Sequence, residues 1–459
     1  MNESKVTLIG GGGARTPLLI HGLAQAQRIL GIRELALYDV SRSNAELMAT
    51  MGREIARANS AKFDITVPDS LEAAIEGARF VLSSIRVGGI DARARDERVI
   101  IDHGMTGQET TGPGGLAMAL RTVPVALEHA RLIERYAPDA WLINFTNPAG
   151  LITQALMTHT SVKVIGICDT PAELFHRTAW ALGLPFEDME FHYSGLNHLG
   201  WVHRVMLAGR DITEQLLGNH DALLRIYPVP LFDPDMIRTL GLIPSEYLFF
   251  TYAKTRACEN QRAAGASRGE EIRTMNARLY QKLADEASAG RVAQAVQVYK
   301  DYLNQRNASY MQLEARAGSA FTEEKHDWNP FEGATGYHRI AIDVMTALCS
   351  DTPKQVVVNV RNHGAIEDVQ PSDVVEVPCL INKDGPEPQN MGPLPDSVRG
   401  LTLSMKAYER MAVRAAVEHS LDLAKLALMV NPIVGEWAPS GDVLQALVQA
   451  DPQHLGYLK

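Results

Sequence analysis

Cysteine is scarce: four in 459 residues, at positions 168, 258, 349 and 379, with no CxxC pair among them. So irregular and thin a set argues against a disulfide framework and fits a reducing compartment. No run of Lys and Arg offsets the net charge of −10, so phosphate backbones meet no local attraction and nucleic acid is not an expected partner. Nowhere do about 18 consecutive apolar residues occur, and the opening MNESKVTLIGGGG enters a strand without a separate apolar leader. A soluble, cytoplasmic protein without membrane contact is expected. Internal repeats are absent too. What is present is a hydrophobic share of 46% against 21% charged residues, enough to bury a large core, with two domains as the default for this length.

Along the first 170 positions short apolar runs alternate with amphipathic stretches: KVTLIG, TPLLIHGLAQAQRIL, ELALYDV, NAELMATMGREIARAN, FVLSSI, WLINFT and VKVIGICD. Strands alternating with helices predict βαβ units and a Rossmann-like, doubly wound parallel sheet, whose ligands collect at the strands' carboxyl ends. The texture changes near Gly195, which divides the chain into a dinucleotide-binding domain, 1–195, and a mixed, helix-rich α+β domain, 196–459. In the second domain we expect a loop-rich span to Pro244, helices from Glu246 to Glu314, and a hairpin of QVVVNVRN with DVVEVPCLI. An exposed Pro-rich loop, Gly385 to Pro395, and a long C-terminal helical segment with an oligomerising apolar face complete it.

The first strand ends in LIGGGGART, where Gly10, Gly12 and Gly13 with Arg15 suit a backbone cradle for a pyrophosphate at a helix N-terminus. The fit to GxGxxG is imperfect, because Arg15 stands at the third glycine position, and a tight turn without a ligand explains the cluster equally. Asp39 closes the next strand, placed to accept from an adenosine ribose and to repel a 2′-phosphate, which selects NAD over NADP; it also suits a helix N-cap. Arg86, Asn144, Asn147, Cys168 and Asp169 follow later strands of the same sheet and should face one crevice. Taken singly, Asn147 reads as a turn, Asp169 as an N-cap and Cys168 as a small buried hydrophobe. His198, in GLNHLGW, sits among glycines that suit a loop, so that thiol and this imidazole suggest two corners of an open, catalytic metal site.

These stretches, together with GQETTGPGGLAMALRTVPV, NFTNPAG, GICDTP, IPSEYL and NVRNHGAI with VVEVPC, resemble glycoside hydrolase family 4 nearly end to end. QETTGPGG, GGIDARARDE and IPSEYL are most similar to its 6-phospho-β-glucosidase branch. The resemblance implies a lactate and malate dehydrogenase-like fold, NAD and a divalent metal, Mn, held by Cys168 and His198, and a homodimer or homotetramer. It further implies oxidation at sugar C3, removal of the C2 proton by Tyr247, elimination helped by Asp169 as acid, water addition and re-reduction. Arg86, Glu109 and Asn147 are implied on the substrate side. The family's YLRYYY-like motif reads YLFFTY here, so its arginine is gone; Lys254, Arg256, Arg262 and Arg268 then become the candidate phosphate partners. Unphosphorylated glycosides or uronides stay open as substrates, as does a plain NAD-dependent sugar or hydroxy-acid dehydrogenase.

Overall fold

The computed structural model describes residues 4–315, 329–333 and 335–459; Ala334, within the late GATGYHRIA stretch, lies outside them. The alternating N-terminal pattern folds as six parallel strands, β1 (Ser4–Ile9), β2 (Ile32–Tyr38), β3 (Asp64–Thr66), β4 (Ala78–Ser83), β5 (Trp141–Asn144) and β6 (Lys163–Gly166). Their order is β3-β2-β1-β4-β5-β6, so the chain direction across the sheet reverses between β1 and β4 and leaves a crevice at their carboxyl ends. Helices cover both faces, which is why Phe80, Val81 and Leu82 of β4 form a continuous apolar run, each 0% exposed, instead of alternating with polar residues.

Local signals set the helix ends. Pro17 opens the helix Thr16–Leu30 and left-handed Gly31, φ 62°, closes it. Ser41 caps the helix Arg42–Ala58 by accepting from the Asn44 amide. Ser267 and Glu270 form a reciprocal capping box at the start of the helix Arg268–Ser288, a device worth about 1 kcal/mol.

Seven further strands extend the sheet on the β6 side: β7 (Met189–Leu196), β8 (Leu199–Leu207), β9 (Arg210–Asp211), β10 (Ile243–Pro244), β11 (Lys354–Arg361), β12 (Val374–Asn382) and β13 (Gly385–Pro388). β11 and β12 are the expected antiparallel pair. The span expected to be loop-rich instead opens with the hairpin β7–β8, which encloses Gly195; Leu196 pairs with Leu199, leaving Asn197 and His198 as a two-residue turn. Part of the Pro-rich loop also differs, since Gly385–Pro388 pairs with β12. The C-terminal helical segment breaks into Asp396–Glu418 and Leu421–Val430, because His419 adopts φ 59° and Ser420 caps the second helix. No helix among the described residues is long and apolar enough to cross a membrane.

Candidate active site

At the switch point the loop after β1 runs hard against the end of β4. Gly10 has φ 90°, and a Cβ there would meet the Ser84 carbonyl oxygen at 2.3 Å, so both conformation and space demand glycine. The Gly12 amide donates to Asp39 Oδ2 at 2.9 Å and the Ser41 amide to Asp39 Oδ1 at 2.9 Å, which orients the carboxylate beside the loop. Asp39 therefore braces the turn, while Ser41 takes the capping duty. Over the loop lie two helices of the second half, Arg268–Ser288 and Val292–Ala308; Tyr280 donates to the Gly12 carbonyl and Tyr299 to that of Ala14, each at 2.7 Å. Arg15 leaves the loop altogether. Its guanidinium lies 4.1 Å from the Tyr337 ring centre and faces the charges of Asp169 and Glu109.

Behind that lies a charged cluster. Glu109 pairs with Arg86 through one carboxylate oxygen and with Arg93 at 2.8 Å through the other. Arg93 also pairs with Glu97 at 2.8 Å, and Glu97 accepts from the Gly269 amide at 2.6 Å, which ties the cluster to the second half of the chain. Burial opposes ionisation of Glu109, but the two guanidiniums hold it well below the usual carboxylate range.

Around Cys168 the acids feel single cations, Arg15 on Asp169 and Arg177 on Glu246. Cys168 is 2% exposed, and burial, with the charges of Glu376 and Asp169, pushes its thiol up. The Tyr337 hydroxyl lies 4.0 Å from Cys168 Sγ and also hydrogen-bonds Asp169. Asp169 stands at the N-terminus of the helix Thr170–Leu182 without capping it through its side chain, and burial raises it to about 6 against the pull of Arg15. Glu246 is raised to about 8 by burial, against its own backbone amide, and accepts from Thr170 Oγ1 at 3.3 Å and the Tyr310 hydroxyl at 3.4 Å.

His198 is held in the β7–β8 turn at φ 62°, with its ring stacked on Tyr247 at 3.7 Å and 3° between planes. Burial lowers it to about 3, so the imidazole is neutral at pH 7. Thr110 Oγ1 lies 2.9 Å from His198 Nδ1 and gives its own proton to Gln108 Oε1 at 2.9 Å. That bond makes the threonine oxygen an acceptor, which assigns the ring proton to Nδ1 and leaves a lone pair on Nε2. Nε2 is buried and has no partner among the described residues. The phenol of Tyr247 is pushed up by burial, then by Glu109 and Glu246. Asn147 Oδ1 is another buried acceptor without a partner among the described residues, whereas Asn144 is spent on the Ala149 carbonyl and Thr153 and belongs to the scaffold.

Among the described residues no group of three or more His, Cys, Asp and Glu is placed to hold a metal ion. A soft thiol and a tautomer-fixed imidazole nitrogen with nothing to bind, both beside Tyr247, nonetheless fit a two-donor site that a substrate would complete. The candidate phosphate partners do not gather here: Lys254 and Arg262 are exposed, Arg256 donates to the Leu231 carbonyl, and Arg268 is committed to Glu271, Ser309 and the Arg306 carbonyl. Sequence reasoning missed Tyr337, Glu246, Tyr310, Arg93 and Thr110. Arg93, Thr110 and Glu246 lie inside GGIDARARDE, QETTGPGG and IPSEYL, and Tyr337 inside GATGYHRIA, so those motifs were the available signal; Tyr310 carried none.

The chain matches the profile of family 4 glycosyl hydrolase over residues 5–184 and that of the family 4 glycosyl hydrolase C-terminal domain over residues 193–434. It is 32% identical to a probable 6-phospho-beta-glucosidase of Bacillus subtilis, over 99% of this chain and 97% of that protein. A maltose-6′-phosphate glucosidase of the same organism is 28% identical, covering 97% and 95%. The structure of the 6-phospho-beta glucosidase from Thermotoga maritima with manganese, NAD+ and glucose-6-phosphate superposes with a TM-score of 0.79 at 24% identity, covering 98% of this chain and 99% of that one. Lactate dehydrogenase from Eimeria maxima shares the fold more distantly, with a TM-score of 0.54 at 14% identity over 92% and 97%. With both profiles matched along nearly its whole length and a full-length relative above 30% identity, this chain belongs to glycosyl hydrolase family 4.

Proposed function

We propose that the chain hydrolyses 6-phosphoglucosides, β-linked ones in preference, by redox-assisted elimination and not by a two-carboxylate displacement. The observation that carries this reading is His198 Nε2, buried, unprotonated and, among the described residues, unpartnered, on a ring stacked against Tyr247, whose phenol also feels Cys168. NAD on the glycine loop would supply a reversible hydride acceptor for sugar C3, and a divalent ion, Mn, between Cys168 and His198 would supply a Lewis acid for the sugar oxygens.

The residues divide the remaining work. Gly10, Gly12 and Gly13 admit the pyrophosphate, and Asp39 accepts from the ribose and repels a 2′-phosphate. Arg15 lends positive charge between cofactor and sugar. Asn147 Oδ1 accepts from a sugar hydroxyl, and Arg86, fixed by Glu109, donates to another. Tyr247 Oη removes the C2 proton. Asp169, at about 6, is populated in both protonation states near neutrality and protonates the departing glycosidic oxygen. Residues 1–195 thus form the dinucleotide half and 196–459 the substrate half. The four free thiols suit the cytoplasm, and a homodimer or homotetramer is the assembly we expect.

A second reading, the same chemistry on unphosphorylated glycosides or uronides, is favoured by the dispersal of Lys254, Arg256, Arg262 and Arg268 away from the site. Both are tested by hydrolysis of nitrophenyl β-glucoside and its 6-phosphate, with α-linked and uronide analogues, under reducing conditions with NAD and Mn. Nitrophenol release that requires NAD and metal while no NADH accumulates is the expected result, and the preferred substrate decides the phosphate question. Stoichiometric NADH without nitrophenol would replace the glycosidase by a dehydrogenase.

A further inference from the structure

Two stretches singled out in the sequence, NVRN and VVEVPC, have no role in the site as described, yet each buries a polar residue in the middle of the sheet. Asn359 and Glu376 are 0% and 1% exposed and stand opposite each other on β11 and β12. Each also makes the single register pair that joins its strand to the next: Asn359 faces Gly166 of β6, and Glu376 faces Gly195 of β7. The two strands so joined carry the proposed metal donors just beyond these points, Cys168 two positions after Gly166 and His198 three after Gly195.

The Glu376 carboxyl is held by three neutral donors. Its Oε2 accepts from the Tyr193 hydroxyl at 2.8 Å, and its Oε1 accepts from Asn359 Nδ2 at 2.9 Å and Asn197 Nδ2 at 3.0 Å. No cation pairs with it among the described residues. An acid buried in this way is costly, and its strand neighbours Val375 and Val377, both 0% exposed, show what the position would otherwise hold. The polarity instead fixes geometry. Asn197 is pinned at both ends, since its Oδ1 accepts from the Gly150 amide at 3.3 Å, and it is the turn residue that immediately precedes His198. On the other strand, a Cβ at Gly166 would meet Thr153 Oγ1 at 2.2 Å and Asn359 Cβ at 2.8 Å, so β6 lies as close to Asn359 as glycine permits.

We propose that Glu376 is a positioning residue: through Asn197 and Asn359 it fixes the separation and aim of His198 and Cys168. This rests on the reading of those two side chains as metal donors. The test is manganese affinity of the NAD-loaded full chain, followed by the electron paramagnetic resonance of free Mn(II), for wild type, E376Q and N197A, with Tm and NAD affinity measured on the same samples. Both variants should lose about tenfold or more in manganese affinity, the usual effect of disturbing an outer-shell partner, with NAD affinity within about twofold of wild type. The double variant should lose no more than the weaker-binding single one, because both act through one network. Manganese binding lost in C168S and H198A but kept in E376Q and N197A would overturn the positioning role alone. Wild type that binds no manganese, or binding unchanged in C168S and H198A, would overturn the site reading and this proposal with it. Should E376Q fail to fold, N197A, a half-buried turn variant, decides: wild-type affinity there overturns the proposal.

Discussion

Two groups of buried acids in the candidate active site behave oppositely. Glu109, between Arg86 and Arg93, is held ionised, whereas Asp169 and Glu246 are raised to about 6 and about 8. Burial alone cannot separate them, since it opposes the charge of all three. The difference lies in what each faces: two paired guanidiniums at Glu109, against hydroxyl partners at Asp169 and Glu246, where the pull of Arg15 and of Arg177 does not overcome burial. The charged side is thus built to hold a shape, and the neutral side to hold protons that can move.

The largest effect should come from removing the proposed proton acceptor, Tyr247. Tyr247→Phe keeps the ring that stacks on His198 and deletes only the hydroxyl, so kcat should fall by about 10²–10⁴ while NAD affinity holds. Steady-state kinetics beside NAD titration would check this, and a variant with near wild-type kcat would remove Tyr247 from the chemistry. Next comes the charged side. Glu109→Gln takes the shared carboxylate from Arg86 and leaves Arg93, 6% exposed, with Glu97 alone, and should destabilise the fold by about 3 kcal/mol at pH 7, whereas Glu246→Gln, which replaces an acid that burial keeps protonated in the fold by a near-isostere, should change stability by less than about 1 kcal/mol at pH 4.5. Urea unfolding of both variants tests the contrast; equal losses would erase it.

The two sides should also part in their pH dependence. A carboxyl raised in the folded state keeps a proton that the unfolded chain has already lost, so stability falls as pH climbs from the ordinary value to the raised one. For Asp169 that window is about 4 to 6, and for Glu246 about 4.5 to 8, each with a slope of at most about 1.4 kcal/mol per pH unit. Glu109, depressed, acts in reverse: its contribution is present above about 4.5 and is lost as pH falls. Stability curves of wild type and Glu246→Gln should therefore converge near pH 4.5 and diverge in the variant's favour toward pH 8. Parallel curves would mean that Glu246 ionises as freely in the fold as outside it.

Sequence made one of these regions far more legible than the other. The parallel half announces itself through apolar runs and intervening helix patterns, all local, and Gly10, Asp39 and Cys168 follow the carboxyl ends of strands of one parallel sheet. Long-range pairing was not legible. Nothing in MEFHYSGLNHLGW says that β7 will be joined to the rest of the sheet through Gly195 and Glu376, and nothing places Tyr337, 169 positions away, beside Cys168. Arg15 shows the same limit in reverse. Its position in the glycine loop was legible, but the turn of its side chain toward Tyr337 depends on a partner from the distant half of the chain.

Asp39 offers the finest test, because it is a third kind of carboxylate, held by two backbone amides. If its work is to accept from a ribose and repel a 2′-phosphate, the negative charge matters more to the choice between cofactors than to the shape of the loop. Asp39→Asn keeps one side-chain acceptor, so either the Gly12 or the Ser41 amide stays bonded and the fold should be little changed. NAD affinity should fall about fivefold to tenfold, roughly 1–1.4 kcal/mol, and NADP affinity should rise over the same comparison. Fluorescence titration of both cofactors reads the two numbers directly. If both affinities fell together, with a lower Tm, the carboxylate would be bracing the Gly12 turn only, and the preference for NAD would have to come from elsewhere in the loop.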